Sequence, residues 1–157
     1  MNCVPCQAHG ERNYHVFYEL LAGLPAEQKE KMYLQEAESY FYLNQGRACD
    51  ILGKEDRQDF LDLVQALEGI SLSDDQLTST WAVLAAVLQL GNICFTSSEK
   101  ESYEPAAVAS DTEIQIVANL LRVSADLLRS VITHRVTVTS YDHIFTPLSV
   151  EGAINAR

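Results

Sequence analysis

The segment from residue 11 to residue 21 constrains the fold of this chain more than any other feature, because its aromatic residues follow a helical order. One face is formed by Tyr14, Phe17, Tyr18 and Leu21. These positions are i, i+3, i+4 and i+7 of a single helix, which is the spacing of a side that packs against a core. Asn13 is a residue type that caps helices, and Gly23 and Pro25 are typical of a helix end. We therefore expect a buried helix with Asn13 as its N-cap.

Capping residues predict most of the remaining helices. A short polar helix is expected over Ala26 to Lys31, and Asp56 is expected to cap a helix with one apolar stripe. That stripe consists of Phe60, Leu61, Val64 and Leu67. Four serines precede other helical patterns, two of them with capping-box spacing: Ser73, Ser110, Ser124 and Ser149. In the helix that follows Ser124, the predicted apolar side consists of Leu127, Leu128, Val131 and Ile132.

The helix that follows Ser73 is apolar on nearly every side between Trp81 and Leu90. Such a pattern is typical of a helix at the centre of a core. The apolar run is about half as long as a bilayer requires. We expect a central buried helix and no membrane span.

Short strands complete the predicted fold. Residues 93–96 predict one strand, residues 97–109 an exposed loop, and residues 135–139 and 144–146 a hairpin with a polar tip. The aromatic run from Tyr40 to Leu43 has no basic residues between its rings, which favours core packing over base stacking. The fold class expected is mainly α with short β-strands, in which helices pack around one central helix and a C-terminal β-hairpin follows.

Composition narrows the class of partner. The 157 residues suffice for one domain, and 22 acidic against 11 basic residues give a net charge of −11. This balance disfavours nucleic acid and anionic lipid as partners. No secretory signal precedes the cysteines, so a reduced, cytosolic state is expected. Cys3 and Cys6 form a CxxC without a second close pair of ligands, so no metal site is predicted there.

No phosphate-binding loop is recognisable in the chain. The stretch from Gly46 to Gly53 and Lys54 has six residues between its glycines, and Glu55 stands where a magnesium-binding hydroxyl is required. We predict a plain turn before a helix at Gly53 and Lys54. No catalytic or cofactor-binding residue is assigned.

Four blocks of this sequence, in order, resemble the motor heads of the myosin superfamily. The first block is Glu-Arg-Asn-Tyr-His-Val-Phe-Tyr, at residues 11–18. The others are residues 40–46, residues 84–95 with Leu-Gly-Asn inside them, and residues 145–148 with 155–157. The amino-acid sequence of residues 20–26 and 34–38 is most similar to that of the class-fifteen unconventional myosins.

This resemblance implies that residues 10–157 are a partial motor domain and that residues 1–9 are an unmatched extension. A myosin head is an actin-based motor driven by ATP, so ATP and Mg²⁺ are the cofactors implied for the parent protein, with none for this chain alone. The implied partners are the actin filament and the remainder of the head. The implied location is the cytoplasm, at the cytoskeleton.

The resemblance also assigns a role to the predicted hairpin tip. It corresponds to a surface loop of myosin that touches actin, and we hypothesise that Tyr141, Asp142, His143 and Ile144 contact the filament. Asp142 occupies the position where the family has an acidic or a phosphorylatable residue. Because actin is also acidic, the contact would be local and would not depend on the net charge. An ordinary exposed turn is the alternative, since Asp favours turns for local reasons.

Two other functions remain open at this point. The chain could be a stand-alone helical protein-interaction module that binds no nucleotide. It could also be a metal-dependent enzyme that uses Cys3, Cys6 and nearby histidines. Tight binding of ATP to the chain by itself is not expected.

Overall fold

The computed structural model of the protein describes residues 7–96, 106–139 and 142–157. The chain forms two compact units, Met1–Gly91 and Asn92–Arg157. Helices dominate, and the strands form two short antiparallel pairs within the described residues. The predicted fold class, mainly α with short β-strands, is confirmed.

The first unit contains helices and no strand in the part that the structure describes. Its elements are α1 (His15–Gly23), α2 (Ala26–Lys31), a 3₁₀ turn (Ala37–Ser39), α3 (Phe41–Asn44), α4 (Asp56–Gly69) and α5 (Asp74–Asn92, whose final residue starts the second unit). Helix α1 packs against α4. A Cβ atom built on Gly23 would lie 2.3 Å from the ring of Phe60, so the absence of a side chain lets the two helices approach.

The core of the first unit is built around the aromatic face of α1. Its buried cluster contains Phe17, Tyr18, Leu21, Tyr40, Leu43 and Leu88. The Tyr40 hydroxyl accepts a hydrogen bond of 2.9 Å from the backbone N–H of Gln35. Burial raises the pKa of Tyr40 above its ordinary value of 10.0. The core position predicted for the run from Tyr40 to Leu43 is confirmed at Tyr40 and Leu43, whereas Phe41 is exposed.

The second unit combines two strand pairs with three helices in its described residues. Its elements are β1 (Phe95–Thr96), β2 (Ala107–Val108), α6 (Asp111–Leu121), α7 (Ala125–Thr133), β3 (His134–Val138), β4 (His143–Pro147) and α8 (Val150–Ala156). Its fully or nearly fully buried residues include Ile93, Ile114, Val117, Ile132 and Ala153. Helix α7 contacts both α6 and α8, and is followed immediately by β3.

All four serine caps predicted from the sequence are confirmed. The hydroxyl oxygens of Ser73, Ser110, Ser124 and Ser149 accept hydrogen bonds from backbone N–H groups two or three residues further on. Each bond satisfies an N–H at the helix start that has no partner within the helix. The short polar helix, Ala26–Lys31, also has its predicted bounds.

The predicted cap of α1 is wrong. The helix begins at His15 and its N-cap position is Tyr14, which is 67% exposed and does not join the buried face. The side-chain nitrogen of Asn13 instead donates to the carbonyl of Tyr42, at 3.0 Å. This long-range hydrogen bond connects the amide nitrogen of Asn13 to α3. The amide oxygen accepts from the N–H of Tyr14, at 2.9 Å.

The predicted cap of α4 is also wrong. Glu55 occupies the N-cap position, and Asp56 is the first helical residue. The carboxylate of Asp56 binds the guanidinium of Arg12, at 2.8 Å. The Asp56 carboxylate, which the local pattern predicted as a helix cap, therefore forms an ion pair with the buried Arg12 guanidinium.

The predicted apolar faces of α4 and α7 are wider than the buried ones. In α4, Phe60 is buried and Leu61 is 48% exposed. In α7, Ile132 is buried, whereas Leu127 and Val131 are 58% and 54% exposed. A helical pattern identifies the side that faces a core, but the packing partner decides how much of that side is covered.

The prediction of an exposed loop over residues 97–109 is wrong at its C-terminal end. Ala107–Val108 forms strand β2, which pairs with Phe95–Thr96. Ala106 is buried, and its N–H donates to the carbonyl of Leu148, at 2.8 Å. Backbone pairing between distant segments fixes these residues, and their own side chains gave no strand pattern. Residues 97–105 lie outside the described residues.

Candidate functional site

The β3–β4 hairpin is the main candidate site, and its formation follows from local sequence. β-Branched residues at Val136, Thr137 and Val138 favour a strand. The strand pairs antiparallel with β4, and the register joins His134 to Pro147 and Val138 to His143. The hairpin predicted from residues 135–139 and 144–146 is confirmed.

Backbone hydrogen bonds hold the base of the hairpin inside the second unit. The N–H of Leu148, just after β4, donates to the carbonyl of Thr133 at the end of α7, at 2.8 Å. The carbonyl of Leu148 accepts from Ala106, also at 2.8 Å. The hairpin therefore extends from an anchored base.

From Arg135 onwards both faces of the hairpin are open to solvent, and one of them carries several apolar side chains. Paired residues share a face, so Val136 lies beside Phe145 and Val138 beside His143. These two apolar valines are 43% and 69% exposed, and Phe145 is 56% exposed. Exposed apolar groups at an accessible hairpin are typical of a contact surface.

The tip of the hairpin is closed by hydrogen bonds between Thr139 and Asp142. The N–H of Thr139 donates to the carbonyl of Asp142, at 2.9 Å. The Thr139 hydroxyl also donates to that carbonyl and accepts from the N–H of Asp142, each at 3.0 Å. One oxygen of the Asp142 carboxylate accepts from the N–H of His143, at 2.8 Å. Asp142 is exposed and held at both its backbone and its side chain.

Of the residues predicted to contact a partner, the structure brings Asp142, His143 and Ile144 together at the start of β4, all exposed. Tyr141 lies outside the described residues. The role of Thr139 was missed by the sequence reasoning, which placed it at the end of a strand. The signal available was a hydroxyl residue three positions before an Asp in a turn.

A second set of residues, around Arg12, connects three segments of the first unit. The Arg12 side chain is 2% exposed, and its Nε donates to the carbonyl of Ala48, at 2.8 Å. Its Nη1 binds Asp56 at 2.8 Å, and its Nη2 donates to the carbonyl of Cys49. The guanidinium also lies 4.3 Å from the centre of the Tyr18 ring. Arg12 thus joins the start of α1, the residues before α4 and α4 itself.

Tyr18 takes part in the same arrangement. Its hydroxyl donates to the carbonyl of Leu43, at 2.9 Å, and accepts from the N–H of Asn13, at 3.2 Å. Burial raises the pKa of Tyr18 above its ordinary value of 10.0, against a smaller lowering by the Asn13 N–H. No local pattern predicted these contacts, because Arg12 and its acceptors are 36 to 44 residues apart.

The carboxylates of Glu19, Asp56 and Asp59 form another group, with oxygens within 4.8 Å of one another. The Lys54 ammonium lies 3.5 Å from Glu19 and 3.8 Å from Asp56, and it also binds Asp59. The hydrogen bond to Asp59 is the main cause that raises the pKa of Lys54. A cation of the protein therefore already lies among these carboxylates and offsets part of their charge, so we interpret the group as an ion-pair network.

The geometry at Gly53 and Lys54 confirms the predicted turn. Gly53 has a φ of +82°, which glycine adopts without strain, and the N–H of Lys54 donates to the carbonyl of Ile51, at 3.1 Å. The Lys54 side chain binds carboxylates. Cys3 and Cys6, the residues of the alternative metal site, lie outside the described residues.

Within the described residues, no helix has both the length and the apolar character that crossing a membrane requires.

Comparison with known proteins identifies the family. The model of the myosin head (motor domain) matches residues 3–157. Unconventional myosin-XVB of Homo sapiens is 54% identical over 151 residues, and unconventional myosin-XV of Homo sapiens is 50% identical over 151 residues. Unconventional myosin-Ic of Mus musculus is 34% identical over 152 residues.

Each of these alignments covers 96% of this chain. The chain spans 5% of myosin-XVB, 4% of myosin-XV and 14% of myosin-Ic. These matches support the predicted resemblance and give no support to the alternative of a stand-alone interaction module. With a family model that matches nearly all of its residues, the chain belongs to the myosin motor-domain family.

Proposed function

We propose that this chain is part of an actin-based, ATP-driven motor head, in which it provides scaffold helices and one actin-contacting hairpin. The parent motor would bind ATP with Mg²⁺, a role to which no residue of this chain is assigned. It would act at the cytoskeleton in the cytoplasm. Family membership supports this proposal. The remainder of the head would be the second partner.

The observation that carries the actin contact is the exposed Asp142 immediately before β4, which hydrogen bonds hold in place. Asp142 is exposed, and its backbone and carboxylate are held by Thr139 and His143. A preorganised carboxylate loses little conformational freedom when it meets a basic side chain on a partner. Ile144, two residues further along β4 and 51% exposed, would add apolar contact beside this charge. Tyr141, which lies outside the described residues, is included in the proposed contact on the family resemblance.

Charge reversal in a full motor head that contains this chain tests the contact. Asp142→Lys replaces an attraction by a repulsion, and exposed ion pairs contribute about 0.2–1 kcal/mol each. We expect the KM for actin in filament-activated ATP turnover to rise about three- to tenfold, while kcat at saturating actin stays near the native value. The increase should shrink at high salt.

A matched control uses Glu68→Lys, which makes the same charge change at an exposed position in the last turn of α4. This variant should leave the KM for actin close to that of the native head. If Asp142→Lys behaves like Glu68→Lys, the tip makes no energetically important contact with actin. Asp142→Asn, which removes the charge and keeps the size, should give an intermediate KM.

A further inference from the structure

We propose that Thr139 is the positioning residue for Asp142, so that its hydroxyl sets the geometry with which the hairpin tip meets actin. This inference rests on the proposed function of the tip. The carboxylate of Asp142 would make the contact, and Thr139 would act through it without touching the filament.

The hydrogen-bond pattern at the tip supports this division of roles. The Thr139 hydroxyl forms two hydrogen bonds with Asp142. It donates to the Asp142 carbonyl and accepts from the Asp142 N–H, each at 3.0 Å. The backbone N–H of Thr139 binds the same carbonyl, at 2.9 Å. Asp142 therefore forms three hydrogen bonds with one residue, and two of them require the hydroxyl.

Fixing the backbone of Asp142 also fixes its carboxylate. One carboxylate oxygen accepts from the N–H of His143, at 2.8 Å, and His143 is paired with Val138 as the first residue of β4. The Asp142 side chain is therefore bonded to the first residue of β4, and the position of that residue depends on the hydrogen bonds between Thr139 and Asp142. Without the hydroxyl, the carboxylate would still be present, but it would sample more orientations.

The residue type at position 139 suits this role. A β-branched side chain has restricted χ1 freedom, so the hydroxyl of Thr is held in place more firmly than that of Ser. Valine has nearly the same shape and lacks the hydroxyl. Thr139→Val therefore removes both side-chain hydrogen bonds with little change in volume, and Thr139→Ser keeps them.

The test measures filament-activated ATP turnover in the full motor head. Thr139→Val should raise the KM for actin about three- to fivefold with little change in kcat, as expected for the loss of exposed hydrogen bonds. Thr139→Ser should stay within about twofold of the native KM, because the hydroxyl is retained. As a matched control, Thr146→Val makes the same exchange at an exposed position near the base of the hairpin, paired with Arg135, and should have no effect.

The double variant separates positioning from a direct contact. In a head that already carries Asp142→Lys, adding Thr139→Val should produce no further rise in KM, because Thr139 acts only through the carboxylate that has been removed. Hydrogen exchange at the Asp142 amide should be faster in Thr139→Val than in the native head, which reports the local opening directly.

The outcomes distinguish the two proposals. If Asp142→Lys raises KM and Thr139→Val does not, the hairpin contacts actin but Thr139 does not position it. If the two effects add fully in the double variant, Thr139 makes a contact of its own and the positioning role is refuted. If neither variant changes KM, the proposed actin contact is refuted, and the positioning role has nothing to act on.

Discussion

Replacing Arg12 by Met should destabilise the first unit more than any surface substitution. The buried guanidinium has a different acceptor for each of three nitrogens: the carbonyls of Ala48 and Cys49 and the carboxylate of Asp56. Methionine fills a similar volume and removes all three hydrogen bonds. The variant therefore reports the contribution of the polar contacts more than that of packing.

The expected loss follows from the burial of the two charges. The Arg12 side chain is 2% exposed and that of Asp56 is 15% exposed, so the carboxylate left behind is largely shielded from water. Removing one partner of a buried ion pair costs about 3–5 kcal/mol. Lys54 lies 3.8 Å from Asp56 and compensates in part. We therefore expect the free energy of unfolding to fall by about 3–4 kcal/mol, at the lower end of that range.

A second substitution separates the charge from the shape of the side chain. Arg12→Lys keeps the cation but has one nitrogen where Arg12 uses three, so it can preserve the ion pair with Asp56 while it loses contacts to the backbone carbonyls. We expect a loss of about 2 kcal/mol, between the native protein and Arg12→Met. Arg57→Met serves as control, because Arg57 is exposed on α4 and should tolerate the same exchange.

Urea unfolding followed by tryptophan fluorescence measures these losses. The single tryptophan, Trp81, is 4% exposed and lies 5.2 Å from the Phe60 ring, in the same unit as Arg12. If the urea midpoint falls and the slope m does not change, the variant has lost stability while the surface exposed on unfolding is the same. A loss below about 1 kcal/mol for Arg12→Met, or full stability in Arg12→Lys, would refute the reasoning.

Two further predictions concern the same unit. Gly23→Ala should lower the free energy of unfolding by about 1–3 kcal/mol in urea unfolding, because its Cβ would lie 2.3 Å from the Phe60 ring. Gly69→Ala, at the end of α4, should be neutral or stabilising, because a Cβ there would enter open space. Burial raises the pKa of both Tyr18 and Tyr40 above 10.0, so the folded state keeps phenolic protons that the unfolded chain loses, and stability should fall only as the pH rises above that value. Titration of phenolate absorbance should show these two groups ionising late, and normal ionisation of all tyrosines in the folded protein would contradict the assignment.

The sequence alone determined the features that depend on residues close together in the chain. The caps at Ser73, Ser110, Ser124 and Ser149 were predictable because each joins a hydroxyl to an N–H two or three residues away. The hairpin was predictable because its strands are joined by a short polar tip. The order of the four sequence blocks was enough to identify the family.

Tertiary structure alone decided which partner each polar side chain takes. Asn13 and Asp56 have the chemistry of helix caps, yet Asn13 binds the carbonyl of Tyr42 and Asp56 binds Arg12. Local pattern could not predict these choices, because the carbonyl of Tyr42 and the guanidinium of Arg12 come close to these side chains only through folding. A hydrogen bond to either group then fixes the orientation of the side chain. The pairing of β2 with β1 is decided in the same way, since a strand of two residues has almost no local preference and exists through its hydrogen bonds to a neighbour.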